Sequence, residues 1–488
     1  MKKTHTNKLW GAAFAVQPSE AVIQFTAGRD VASVPPADVA LLAYDLWVNK
    51  AHAVMLAKTG IIPAADAAKI LIELATLDTL VKSDKFVLDP LKEDVHTNIE
   101  SYLTEKLGVA VAGKLHTARS RNDQIVTDMK LYTRDAVYLY ISNSIKLVQT
   151  LLTLAYAHKT TLFPGFTHHQ HAMVTTFGHV LAGFASMVIR DINRFQSWWA
   201  LHNTSPLGNV VSCGTTFPVD RKMTAELLGF DCPDHNSLDA ITNRWEPEAD
   251  LAFAVCVLMN HLSLVAETLI ILATPEFGMI RLADAYSTGS SVMPQKKNPD
   301  SLEVIKGKAG FAQGQLVSLL SIGKGNFIGY NRDTQWTKYI IMDLCRECIF
   351  APVVLSGVLQ TMTVHADVME SWCHKGYIGA TTVMEQIIQE QHIPMREAKV
   401  MVESMVKEGS DKLDLDPKTI IALTKSYGGP SKNSMKTSLK KLKKQLSGHK
   451  QWLAKKQKER EAAQMTLSVM VDSIVNPLMR KASAGEGR

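Results

Sequence analysis

Aromatic residues are scarce in this chain, at 7%, and its six cysteines are scattered over 488 positions. The first scarcity, beside a 46% apolar content rich in Ala, Leu and Val, argues against sandwiches and barrels and for long packed helices. The second excludes a disulfide framework and suits a reducing compartment. Cys345 and Cys348 form a C-x-x-C, but no second pair or Cys-His companion stands near to complete a zinc site. They lie in an apolar run and read as buried thiols.

Long unbroken apolar runs are also missing. The longest, Leu251 to Met259, is far short of the roughly 18 to 20 residues a membrane span needs. The opening "MKKTHTNKLWGAAFAVQPSEA" has a basic start, but its apolar core from Leu9 to Val16 is short and interrupted by Trp10 and Gly11. A retained segment, a cytoplasmic protein and no membrane partner are expected. No internal repeat of solenoid length is apparent.

A net positive charge is absent from most of the chain although the whole carries +6. Lys432 to Arg460 holds eleven Lys or Arg against the single acid Glu459, so this stretch carries +10 and the remainder −4. That distribution argues against a nucleic-acid partner for the body of the protein. Leu439, Leu442 and Leu446 recur at i, i+3 and i+7, which predicts a helix with one buried stripe and a solvated basic face, an anionic partner or membrane surface being the alternative for that face.

What is present is helical periodicity. Ala37 to Leu80 reads as two helices broken at "GIIP", with Pro63 suited to a first turn, and "EDVHTNIESYLTEKLG" as a short helix ending at Gly108. Ile125–Lys159, Thr176–Ala200, Pro247–Thr274, Ser301–Ile322 and Ile340–Trp372 are each of helical length and almost free of Gly and Pro. The stretch from Glu248 to Thr274 is apolar around nearly its whole circumference and must be buried on all sides. The expectation is all-α: an N-terminal helical domain at 1–114, a long central helical bundle at 115–372 and a C-terminal helical domain at 373–488. Such a bundle is expected to continue across subunits of a homo-oligomer.

Gly, Pro, His and polar residues collect in the connections, where function in helical scaffolds concentrates. The loop "TGSSVMPQKKNPD", Thr288 to Asp300, offers two hydroxyls, lysines and an amide, with Gly289 as a turn and Pro294 and Pro299 as stiffeners. By residue types alone an ordinary solvated loop, with the serines as turn formers and the lysines in water, is the favoured reading. "GKLHTARSRNDQ" reads as a helix start with Ser120 or Asn122 as the cap, and a helix N-terminus is itself an anion site. In "FPGFTHHQH", His168, His169 and His171 raise the idea of a metal, but no acidic or Cys ligand nearby completes a site, so none is expected.

"GSSVMPQKKNPD" resembles the signature loop of the fumarase and aspartase superfamily. "GKLHTARSRNDQIVTDMKLY", "EDVHTNIE" and "FPGFTHHQHAMVTTFGH" resemble argininosuccinate lyase within it, and the similarity runs from about Leu9 to Ile340. The resemblance implies a fumarase/aspartase-like fold and a lyase that releases fumarate and an amine from an N-substituted aspartate, without a cofactor or metal. Its active sites would be shared between the subunits of a homotetramer.

The resemblance assigns Ser290 as the base, Lys296 as a catalytic charge sink and Asn298 as a holder of the substrate carboxylate. Thr167 and His168 match the family's Thr-His pair, and His168 would couple with Glu303 to hold a proton for the departing amine. Ser120, Arg121 and Asn122 match contacts to the substrate, and Tyr330, Gln335 and Lys338 match positions that bind the arginine half and its α-carboxylate.

The departures gather on the amine side. "LWGGRF" of the family reads "LWGAAF", Gly28 stands where a serine is usual, "RDF" reads Arg244-Trp245-Glu246, and Trp336, Thr337, Lys338 and Tyr339 replace Glu-Asp-Lys-Glu. Two enzyme readings stay open, argininosuccinate lyase and a related lyase for another aspartate adduct such as ethylenediamine disuccinate. A third, an inactive crystallin-like structural protein, sits poorly with the retained Ser290, Lys296, Asn298, His168 and Glu303.

Overall fold

The computed structural model describes residues 35–485, with side chains to 480; the N-terminal apolar stretch, "LWGAAF" and Gly28 lie outside the described residues. Twelve helices of more than ten residues dominate them. They are α1 (Leu42–Lys58), α2 (Ala64–Lys82), α3 (Val95–Leu107), α4 (Arg121–Ala157), α5 (Phe177–His202) and α6 (Glu246–Leu272). Then come α7 (Asp300–Gly323), α8 (Thr337–Cys348), α9 (Ala351–Thr361), α10 (Ala380–Gln391), α11 (Met395–Glu408) and α12 (Lys432–Gly485).

Local chemistry sets the boundaries. Pro63 immediately precedes α2, and α3 opens where the Asp94 carboxylate accepts the Thr97 N–H at 2.8 Å. It stops at Gly108, whose φ of +73° a side chain would resist. α4 opens on a capping box: Ser120 Oγ accepts the Asn122 N–H, and Asp123 reaches back to the Ser120 N–H at 2.9 Å. Ser120 is therefore the cap and Asn122 the second helical residue.

α4 and α5 pack along their lengths, and α6 lies between α5 and α7. Tyr140 of α4 stacks on Phe195 of α5 at 5.1 Å between ring centroids, both fully buried. α6 is the one described helix long and apolar enough to cross a membrane, yet half of its apolar window is buried against its neighbours. Unbroken run length missed this because Asn260 and His261 interrupt the run without lowering the average enough. α6 and α7 nevertheless leave Phe253, Leu264, Val317 and Leu320 half exposed.

The expected helix over Ile340–Trp372 is broken into α8, α9 and a short helix at Ala366–Trp372. Pro352 suits the first turn of a new helix, and Thr363 and Val364 leave the helical path to pair with Ile280 and Arg281. Cys345 and Cys348 are buried on α8 as free thiols. In α12, Leu439, Leu442 and Leu446 are buried as the stripe predicted. This helix runs back over α1, α2, α4 and α5 and joins the main core, whereas α10 and α11 share a separate small cluster around Val383, Ile387 and Val402.

Candidate active site

The signature loop is closed by a two-way backbone bridge. Thr288 and Asn298 exchange N–H···O bonds of 3.1 and 2.8 Å, and the Asn298 side-chain amide donates to the Gly289 carbonyl at 3.2 Å. Gly289 itself keeps an ordinary φ, so its part is this carbonyl rather than a left-handed turn. Ser290 Oγ accepts the N–H groups of Val292 and Met293 at 3.2 and 3.0 Å. Two donors aimed at one hydroxyl oxygen favour its ionised form.

Lys296 projects from the same loop into solvent, and Glu303 lies exposed in the first turn of α7. Burial pushes the Asp300 carboxyl up and the Glu303 charge adds to this, while Lys296 pulls it down, so the three groups share one field. Val292 at the loop tip is 82% exposed, an apolar side chain left in water.

Thr167 and His168 stand on a β-hairpin inside this helical fold, β1 (Leu162–Thr167) and β2 (Gln170–Thr176). Thr167 pairs with Gln170, leaving His168 and His169 as a two-residue turn with φ of +52° and +60°. That turn geometry favours Asn-Gly; two histidines there are strained, and such strain concentrates at functional sites. Both imidazoles are exposed, whereas His171 turns away to the Phe166 and Trp372 rings.

Ser120, Arg121 and Asn122 open α4 at the molecular surface. Arg121 bonds Asp94 at 3.0 Å and Glu93 at 3.4 Å. Lys338 reaches the same neighbourhood: it pairs with Asp38, whose second oxygen accepts the Val95 N–H at 3.0 Å at the start of α3. Gln335 sits in the 3-10 turn that leads into α8. Tyr330 lies 6.0 Å from the guanidinium of Arg244, so the altered Arg244–Glu246 segment contacts a predicted substrate residue. Trp245 lies flat against Gly323, where a Cβ would collide with the indole.

Beneath the α4 terminus is a buried polar core. Asp45 bonds His96 Nδ1 at 3.1 Å and Gln124 at 2.5 Å, and Arg119 bonds Asn49 at 2.7 Å. Burial raises the Asp45 carboxyl, but His96, Arg119 and Gln124 outweigh it and hold it below the ordinary range. Burial and the Asp45 charge push Asp128 well above its ordinary value. One oxygen or nitrogen each from Asp45, His96 and Asp128 lies within 4.8 Å of the others, a spacing that could hold a cation. The buried Arg119 guanidinium lies beside the same carboxylates and already supplies them with a positive charge.

Asp123 is a residue that sequence reading missed as a positioning group. Its carboxylate accepts N–H groups from Ser120, Gly208 and Val210, each at 2.9 Å, and so ties the loop after Ser205 to the N-terminal end of α4. The signal was available, as "SRND" carries an acid at the third helical position after a serine cap.

Among the described residues no hydrogen bond or ion pair joins the signature loop, the hairpin turn and the α4 terminus, and none links His168 to Glu303. Lys338 and Arg121 are brought together through the start of α3; the other groups remain separate on the surface of one chain.

A family model described as lyase matches residues 18–314. Argininosuccinate lyase of Streptococcus suis (strain 05ZYH33) is 40% identical over 403 residues, covering 83% of this chain and 85% of that protein. Argininosuccinate lyase of Limosilactobacillus reuteri subsp. reuteri (strain JCM 1112) is 37% identical over 465 residues, 90% of this chain and 99% of the relative. Among solved structures, EDDS lyase in complex with formate superposes with a TM-score of 0.83 at 26% identity, covering 94% of this chain and 97% of the other. From these likenesses and the motifs that carry them, the chain belongs to the lyase family that includes the argininosuccinate lyases.

Proposed function

We propose that this protein is a carbon-nitrogen lyase that releases fumarate from argininosuccinate, with arginine as the other product. The observation that carries the reading is the pair of backbone N–H donors on Ser290 Oγ within a loop closed by Asn298. Removing a Cβ proton beside a carboxylate places a second negative charge on that group, so base and charge sink must arrive together.

Ser290, as an alkoxide, takes the Cβ proton, and the electron pair moves into the neighbouring carboxylate to give its aci form. Lys296 and Asn298 hold that dianion, each such donor being worth roughly 3 to 4 kcal/mol. The pair then returns to form the carbon-carbon double bond while the Cα–N bond breaks. The nitrogen takes its proton from His168, which Glu303 would hold only once subunits assemble, with Thr167 beside the carboxylate. Ser120, Arg121 and Asn122 grip the substrate's carboxylates, and Tyr330, Gln335 and Lys338 the amine half.

These groups face solvent from three parts of one chain, which supports a homotetramer whose active sites combine residues of different subunits, and the six free thiols support a cytoplasmic location. The exposed Phe253, Leu264, Val317 and Leu320 on α6 and α7 supply an apolar surface for that assembly. A second reading, cleavage of an aminopolycarboxylate such as ethylenediamine disuccinate, is favoured by one feature. Trp336, 64% exposed, packs edge-on to Tyr339 beside Lys338, where the family carries acids suited to a guanidinium.

Fumarate absorbance in the ultraviolet, with each substrate supplied separately, decides between them. Turnover of argininosuccinate at ordinary enzyme rates is expected. Cleavage of only the other adduct would replace this reading with the second, and release of fumarate from neither would refute both.

A further inference from the structure

We propose that the cleft between α5 and the start of α12 is a binding site for a small phosphorylated molecule, separate from the lyase site. It is a cavity of about 330 Å³, at the lower end of the range of small-molecule pockets. Two cations line it, Arg190 from α5 and Lys441 from α12, with the hydroxyls of Ser434 and Ser438 on the first two turns of α12. No carboxylate is among its lining residues, and among the described residues neither Arg190 nor Lys441 has an acidic partner within salt-bridge distance.

The field around the cleft has the same sign. Lys436, Lys440 and Lys444 project from α12 into solvent on either side of Lys441, so the basic stretch concentrates positive potential at this opening. Ser434 sits between two loop carbonyls and the Ser431 hydroxyl, bonding the Ser426 carbonyl at 2.8 Å, which holds the "SYGGPS" connection against the helix start. Leu442 and the exposed ring of Tyr427 give the cleft an apolar side. The two cations and the Ser438 hydroxyl suit phosphoryl oxygens, Ser434 serving to hold the loop, and the apolar side suits the organic part of a phosphate ester. The site gives the basic segment a function that the lyase chemistry does not use.

The test is equilibrium binding to the full-length protein at low ionic strength, using inorganic phosphate, ribose 5-phosphate, AMP and vesicles containing anionic lipid. Saturable binding of one phosphate ester per chain, tighter than inorganic phosphate, is expected. Lys441→Glu and, separately, Ser438→Asp should weaken it at least tenfold while fumarate release without phosphate and the helical circular dichroism stay unchanged. Three outcomes overturn the proposal: no saturable binding, binding that neither variant alters, and binding to vesicles without binding to the free esters. The last would make the segment a membrane-surface patch.

Discussion

Asp123→Ala offers a test of how the α4 terminus is held. Three N–H groups, those of Ser120, Gly208 and Val210, lose their acceptor. An unpaired buried donor costs about 1 to 3 kcal/mol, and the lost cap about 1 kcal/mol. Against this, the carboxylate is itself costly: burial outweighs the N–H bonds and pushes Asp123 from 3.8 up to about 6. At 1.36 kcal/mol per pH unit, that displacement makes folding roughly 3 kcal/mol less favourable with Asp123 ionised than with Asp123 protonated.

The sign follows from linkage. The folded state holds this proton more tightly than the unfolded chain, so the Asp123 contribution is greatest below pH 3.8 and falls as pH rises toward 6, then stays constant. Alanine has no such dependence. The difference in unfolding free energy between wild type and Asp123→Ala should be about 2 kcal/mol larger at pH 4.5 than at pH 8. The assay is urea unfolding followed by circular dichroism at both pH values, at one fixed protein concentration because assembly shifts apparent stability. A difference that stays constant between the two pH values, or grows toward pH 8, would refute the assignment of a buried, proton-holding cap. With Ser120 to Asn122 displaced, the KM for argininosuccinate should also rise.

Ser290→Ala should lower fumarate release at least about 10²-fold while size-exclusion and circular dichroism profiles match wild type; retention of more than about 1% of the rate removes Ser290 as the base. Leu264→Lys, on the half-exposed face of α6, should shift sedimentation toward smaller species and abolish turnover, because one chain presents its site groups apart. An unchanged sedimentation profile would locate the interface elsewhere. Gly323→Ala should lower the melting temperature through a cost of about 1 to 3 kcal/mol, since the added methyl runs into the Trp245 ring. Phe195→Ala, removing the ring stacked on Tyr140, should cost about 3 to 5 kcal/mol in the same melts.

Much of the fold was legible because it is written in local terms. The stop at Gly108, the start after Pro63 and the buried stripe Leu439–Leu442–Leu446 each follow from short-range sterics or helical periodicity. The break within Ile340–Trp372 was not, because Thr363 and Val364 leave the helix to pair with a strand more than 80 residues away. No window on the sequence contains that partner.

The chain by itself determined which residue types stand in the signature loop, the hairpin and the "ARSRND" segment, and through them the family. Only the tertiary structure decided their presentation. Ser290 gains its two N–H donors from the loop's own closure, and His168 occupies a strained turn because strand pairing puts it there. Asp123 binds a loop some 85 residues away, and Lys338 meets Asp38 across 300 residues. Such pairings depend on how the helices pack, which is set by the summed shape and burial of many side chains rather than by the identity of the few that react.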